Sequence, residues 1–276
     1  MGSAQNPDLE WPDPTRPLLG ESTRVEAAHP HSRFENLTYA DFRKLATDPS
    51  LSPHEKIGFP NEYRQDKERL ILDDIVRKVS ALGGRRKTVL DIGPGCGALA
   101  RMLIDLCEQQ EHTLLLVDCP EMLAHLPDRP FMRKYPGRFP QCDVVVREYS
   151  SRIDAVLAYS VAHYVFVESS IFDFVDQAVA LLAPGGELLI GDIPNVSKRK
   201  RFFSSAAGVA FHQNFVGRPE QPAVGFNHLE PAKMDDAVVV SLLLRARLAG
   251  ADSYVLPQGG GLPMANRRED ILIRKP

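Results

Sequence analysis

Apolar and polar positions change period several times along the chain. From Thr38, the residues Tyr39, Phe42 and Leu45 share one helical face, and Asp48-Pro49 stops the helix. After a Gly-Phe-Pro turn at 58–60, Leu70, Ile71, Ile75, Val76 and Val79 recur at helical spacing. A helix is expected over about 61–81, ended by Gly83-Gly84. From there short apolar runs alternate with helical ones. Strands are expected at 88–92, 113–118, 154–159 and 187–192, and helices at 99–108 and 169–182. Helical stretches follow at about 204–215 and 233–248, then short strands near 252–256 and 270–274. The runs VLDI, LLLVD and DAVLAY are apolar throughout, as in strands covered on both faces. Alternation of this kind predicts an α/β fold around a mostly parallel sheet.

The division into regions follows from the same pattern. Residues 1–35 are rich in Pro, Asp, Glu and Ser and read as an extended or disordered tail. Residues 36–84 read as an N-terminal helical cap. The alternating pattern occupies 85–276, with a helical insertion at about 197–232.

Composition narrows the function classes. Of 276 residues, 43% are hydrophobic and 25% charged, and the formal net charge is −3. Such a balance argues against a general nucleic-acid binder. No apolar run approaches the roughly 20 residues of a membrane helix. The start, MGSAQNPDLEWPDPTRP, has no basic or apolar segment, so no signal peptide is expected. Cys96, Cys107, Cys119 and Cys142 form no C-x-x-C pair, which predicts no metal site and a reducing, cytoplasmic setting.

The most informative stretch is Val89 to Ala98, VLDIGPGCGA. A strand enters a turn with glycines at 93, 95 and 97, and a helix follows. Glycine suits a backbone that must adopt φ > 0 or let a ligand come close, and a helix start offers free N–H groups. Asp118 ends the next strand, 21 residues after Gly97, where a carboxylate can accept both hydroxyls of a ribose. Two adenosine-type cofactors compete, because Gly93-x-Gly95-x-x-Ala98 also satisfies the dinucleotide fingerprint. Asp91, two residues before the first glycine, favours S-adenosyl-L-methionine, since a carboxylate there suits an ammonium group and repels a pyrophosphate.

VLDIGPGCG, the acidic strand end LLLVD, DAVLAYSVAHYV and LLAPGGELLIGD resemble, in order and spacing, the motifs of class I S-adenosylmethionine-dependent methyltransferases. The resemblance covers about 87–192, and the terminal EDILI looks like the family's last hairpin. It implies a Rossmann-like seven-stranded sheet with an antiparallel last strand and helices on both faces. It also implies that Asp91, Gly93, Gly95 and Gly97 line the methionine side of the cofactor, that Asp118 holds the ribose, and that Tyr159 borders the site. For the family's acidic adenine contact after strand three, GRFPQCD offers no aligned residue. The motifs EKIGFP, PNVSKRKRFF and LPMANRREDILI resemble a small-molecule bacterial branch tied to surface glycans and secondary metabolites.

Methyl transfer needs an aligned acceptor and, for a hydroxyl, a proton acceptor. His163 after strand four is a candidate base or a structural histidine. Asp192 ends strand five at the expected substrate mouth or caps its turn. The run Lys198-Arg199-Lys200-Arg201 either binds an anionic acceptor through Arg199 and Arg201 or is a solvated face. His212 either reaches the acceptor or packs, and Tyr63 and Arg64 either close the site or decorate a turn. The resulting expectation is O-methylation of a small, anionic sugar or nucleotide-linked acceptor in biosynthesis, by a monomer or homodimer. An NAD(P)-dependent oxidoreductase and a non-catalytic cofactor-binding module remain the alternatives.

Overall fold

The computed structural model describes residue 34 and residues 36–61, 66–228 and 230–276. The tail read for residues 1–35 therefore lies outside the described residues apart from Phe34. The β-branched and apolar runs form a seven-stranded sheet of order β3-β2-β1-β4-β5-β7-β6. The strands are β1 (Thr88–Ile92), β2 (Thr113–Asp118), β3 (Met132–Pro136), β4 (Ile153–Tyr159), β5 (Leu182–Pro194), β6 (Asp252–Pro257) and β7 (Arg268–Arg274). β1 to β5 are parallel, and β7 pairs antiparallel with both β5 and β6.

Period-two alternation divides the central strands between two cores. Leu90, Ile92, Leu115, Val117, Val156 and Ile190 face one core; Val89, Leu114, Leu116, Leu157 and Leu189 face the other. The first core takes α8 (Ile171–Leu181) and α11 (Asp236–Leu248), with Phe174 fully buried and Phe139 edge-on to it at 5.3 Å. The second takes α3 (Glu68–Lys78) and α4 (Ala98–Gln109), through Ile71, Ile75, Leu103 and Ile104. Burying each such side chain stabilises the fold by about 1.5–3 kcal/mol.

The cap is set by local chemistry. Thr38 and Asp41 form a capping box at the start of α1 (Tyr39–Thr47), and Ser52 and Glu55 do so for α2 (Pro53–Lys56). Short helices follow β2, β3 and β4: α5 (Pro120–Leu123), α6 (Asp143–Glu148) and α7 (Ala162–Glu168). The basic run, within the stretch expected as a helical insertion, lies on α9 (Val196–Phe203), capped by the Asn195 side chain. α10 (Ala206–Val216) ends at Gly217 in the left-handed region.

Candidate functional site

The carboxyl ends of β1, β2 and β4 open into one cavity, roofed by Tyr39, Phe42, Ile57 and Phe59 of the cap. Its floor begins at the glycine turn. Gly93 and Gly95 have φ of +70° and +63°, which a side chain would strain. The Gly93 N–H donates to the Val117 carbonyl at 2.8 Å, tying the turn to β2. A Cβ at Gly93 would lie 2.7 Å from Val161 Cγ2, and one at Gly95 would lie 2.6 Å from Ile57 Cγ2. Gly93 thus admits Val161 from the turn after β4, and Gly95 admits Ile57 of the cap. Gly97 is the N-cap residue of α4, whose first amides start beside the cavity.

Of the three carboxylates that line this cavity, Asp91 and Asp118 stand at the glycine turn. Asp118 accepts the Gly95 N–H at 2.9 Å and the Cys119 N–H at 2.7 Å, one on each oxygen. A carboxylate has about four acceptor sites, so Asp118 keeps capacity that a ribose hydroxyl can use. Burial pushes the Asp118 carboxyl up, while the two amides and the Cys119 thiol hold it down. Asp91 is 7% exposed, and among the described residues no donor reaches its carboxylate. Burial, and then the Asp118 charge, push it up to about 7. A buried acid without a counter-charge inside a cavity is what a cationic ligand would relieve. An ammonium group therefore fits beside Asp91, and the α-amino group of S-adenosylmethionine is of that kind.

The outer end of the cavity lies past β3. Gly137, Arg138 and Phe139 line it from the loop before α6, and Val165 and Glu168 line it from α7. Tyr39 spans this end. Its N–H donates to Glu168 Oε2 at 3.0 Å, and its ring lies under the Arg138 guanidinium at 5.8 Å. Burial, with Cys119 and Asp118 nearby, pushes its phenol up to about 12. The cap is further held by Phe42 edge-on to Tyr164 at 4.8 Å and by Arg43 on Glu121.

At the inner end, Tyr159 and Ser160 line the cavity from the tip of β4. The Tyr159 ring packs on Gly191, where a Cβ would come within 2.3 Å of it. Ser160 and Asp192 end adjacent strands, with φ of +63° and +58°. The Ser160 hydroxyl donates to Asp192 Oδ2. Asp192 also takes Arg268 Nη1 at 2.6 Å and Gln258 Nε2 at 3.3 Å, and its N–H donates to Asp270 at 2.8 Å. Asp192 is thus buried in an ion-paired network behind Ser160, away from the cavity lining. The sequence reading placed a candidate catalytic contact at Asp192; the structure holds its carboxylate among these partners. His163 likewise stands outside the lining, its ring centroid 3.9 Å from that of Tyr164, which does line it.

The basic run is engaged within the protein. Arg199 and Lys200 pair with Glu230, Arg201 pairs with Asp236, and Lys198 donates to the Arg268 carbonyl at 2.6 Å. None of the four lines the cavity. The acids that match them come from 30 or more residues further on, which the sequence reading did not connect. His212 packs edge-on to Phe203 at 6.3 Å, also outside the lining. Tyr63 and Arg64 lie outside the described residues. Reading the sequence missed Tyr39, Arg138, Ser160 and Glu168. Only Ser160 had a local signal, as the residue after strand four. Among the described residues no group of three or more His, Cys, Asp and Glu side chains could hold a metal ion. No described helix is long and apolar enough to cross a membrane.

No family model matches the chain, and no curated protein matches it in sequence. Solved structures do resemble it. The plantazolicin methyltransferase BamL, in complex with a triazolic desmethylPZN analogue and S-adenosylhomocysteine, has a TM-score of 0.54 at 12% identity. The match covers 89% of this chain and 97% of that one. The N-methyltransferase NodS from Bradyrhizobium japonicum WM9, with S-adenosylhomocysteine, has a TM-score of 0.50 at 15% identity, covering 86% and 98%. The CurJ carbon methyltransferase has a TM-score of 0.50 at 17% identity, covering 88% of this chain and 65% of that one, so this chain spans less than two thirds of that protein's length. The strand order, the antiparallel last strands and these likenesses together give the chain the Rossmann-like fold of S-adenosylmethionine-dependent methyltransferases.

Proposed function

We propose that the protein is an S-adenosylmethionine-dependent methyltransferase acting on a small acceptor. The observation that carries this reading is the pair of carboxylates over one glycine turn. Asp118 keeps acceptor capacity for a ribose hydroxyl, and Asp91 is a buried acid that lacks a cation. The cofactor, when bound, supplies an electrophilic methyl group on a sulfonium. The protein's part is to hold the ribose at Asp118 and the amino group at Asp91, and to keep water out with Tyr39, Phe42 and Phe59.

Asp91 also speaks against the oxidoreductase alternative. A pyrophosphate at this turn would meet a buried carboxyl, and two like charges there repel. We further propose that the acceptor enters beside Tyr159 and Ser160 and is methylated on a hydroxyl: the O–CH3 bond forms as the sulfonium S–CH3 bond breaks, and the hydroxyl proton passes through Ser160 Oγ to the Asp192 carboxylate. His163 then orients Tyr164, and Asp192 holds Ser160. Pairing of Arg199 and Arg201 with acids removes the support for an anionic acceptor, so a neutral sugar or other small metabolite suffices.

A thermal-shift panel tests the reading. Ligand at about 100 times its Kd stabilises a protein by about 2.7 kcal/mol, which shifts the Tm of a chain this long by roughly 5–10 °C. S-adenosylhomocysteine should produce that shift and NADH should not. A shift with NADH alone would replace this reading with the oxidoreductase one.

A further inference from the structure

β5 runs into α9 with only Asn195 between them, so α9 and α10 continue from the strand end that carries Asp192. Two neighbouring arginines join the regions. Arg268 holds the Asp192 carboxylate behind Ser160. Arg267 lies over the rings of Phe203 on α9 and Phe211 on α10, at 5.9 Å and 5.8 Å, and its carbonyl accepts the Asn195 N–H at 3.2 Å. The acceptor entrance and this group of rings therefore share one strand end. The step from here to a ligand rests on the methyltransferase reading above.

The rings form an open apolar wall. Phe202, Phe203 and Phe211 have centroids 5.1, 5.7 and 6.2 Å apart. α10 reads AAGVAFHQNFV, with no charged side chain, yet among its residues only Gly208 is buried. Phe211 is 42% exposed, and Phe215, one turn on, is 71% exposed. An uncharged apolar helix normally buries a face, so this one is built to receive something apolar. Along its Gly208, Phe211, His212 and Phe215 face the single polar side chain is His212, whose Nε2 is buried with no hydrogen-bond partner among the described residues. A sugar ring would need several donors and acceptors there. A flat aromatic ring needs none and gains offset stacking.

We propose that the acceptor is an elongated aromatic alcohol, a phenol with a second apolar ring: the hydroxyl lies beside Ser160 and the far ring stacks on Phe211 and Phe215. The phenolic oxygen forms the O–CH3 bond as the sulfonium S–CH3 bond breaks. The electron pair of the broken bond stays on sulfur, and the phenolic proton passes through Ser160 Oγ to the Asp192 carboxylate. Arg267, over the rings of Phe203 and Phe211, fixes their tilt. Phe211 and Phe215 thus select the shape of the acceptor, while the ends of β1 and β2 serve the cofactor.

The test is calorimetric titration of 4-phenylphenol, phenol and methyl glucopyranoside into the protein saturated with S-adenosylhomocysteine, followed by turnover of 4-phenylphenol with S-adenosylmethionine. Wild type should bind 4-phenylphenol about tenfold or more tightly than phenol, show no binding of the glucoside, and convert 4-phenylphenol to 4-methoxybiphenyl. Phe211→Ala and Phe215→Ala change exposed rings and leave the core intact. Each should weaken 4-phenylphenol about threefold to tenfold and leave phenol unchanged. Leu248→Ala, at an 88%-exposed apolar side chain on α11, should change neither. No binding of 4-phenylphenol, preference for the glucoside, an unchanged affinity in both phenylalanine variants, or a bound 4-phenylphenol that is not methylated would overturn the proposal. So would a shift in the oligomeric state of Phe215→Ala without a change in binding, which would give the wall to a second copy of the chain. Failure of S-adenosylhomocysteine itself to bind would remove the methyltransferase reading and the proposal with it, an outcome seen before any acceptor is added.

Discussion

Replacing Asp91 with asparagine should stabilise the ligand-free protein and weaken its cofactor site. The carboxyl rises from 3.8 to about 7 because it is buried and faces Asp118. That is about three pKa units at roughly 1.36 kcal/mol each, or about 4 kcal/mol of cost when Asp91 is fully ionised. An acid whose folded pKa is raised holds its proton more tightly folded than unfolded. Stability therefore falls as pH climbs from about 4 to about 7, and the full cost is present above that range. Integrated from pH 5 to pH 8, ionisation of Asp91 costs roughly 3 kcal/mol, while asparagine titrates at neither end. Urea unfolding at the two pH values should show the variant gaining about 2–3 kcal/mol on wild type. Calorimetry at pH 8 should show its affinity for S-adenosylhomocysteine reduced about tenfold to a hundredfold, for want of a charge-assisted bond to the amino group. A stability gap that does not change with pH would refute the claim that a strained, ionisable carboxyl waits there for a cation.

Other substitutions separate roles that the sequence merges. Asp118→Ala should lose ligand binding and also about 2–4 kcal/mol of stability, because the Gly95 and Cys119 amides lose their acceptor; a chemical melt measures this, and Asp118→Asn should lose less. Gly191→Ala should push the Tyr159 ring off its seat, lowering Tm and S-adenosylhomocysteine affinity together, at a cost of about 1–3 kcal/mol. Arg199→Ala and Arg201→Ala break exposed pairs with Glu230 and Asp236, so stability should change by about 0–1 kcal/mol and acceptor KM should stay the same at low and moderate salt.

The inner strands and the glycine turn were legible in the chain because their signals are local. Apolar runs bounded by Gly93, Gly95 and Gly97, and an acid at the end of the next run, fall within one short stretch. β3 was less legible: Met132–Pro136 contains Arg133 and Lys134, and as an edge strand it needs little apolar surface. The partners of Asp192 are hidden in the sequence for another reason. Its position at a strand end suggested an open site, but Gln258, Arg268 and Asp270 return to it from β7 and the loop before it. The partners of the basic run are hidden the same way, since Glu230 and Asp236 reach it only through tertiary contact. Tyr39, Arg138 and Glu168 come from three separate elements, and no spacing rule in the sequence joins them.

A crystal structure grown with S-adenosylhomocysteine tests the site most directly. The expected density places the ribose hydroxyls on Asp118 and the amino group against Asp91. Density for the ligand elsewhere, or a cavity that admits NADH and leaves S-adenosylhomocysteine unbound, would contradict the methyltransferase reading.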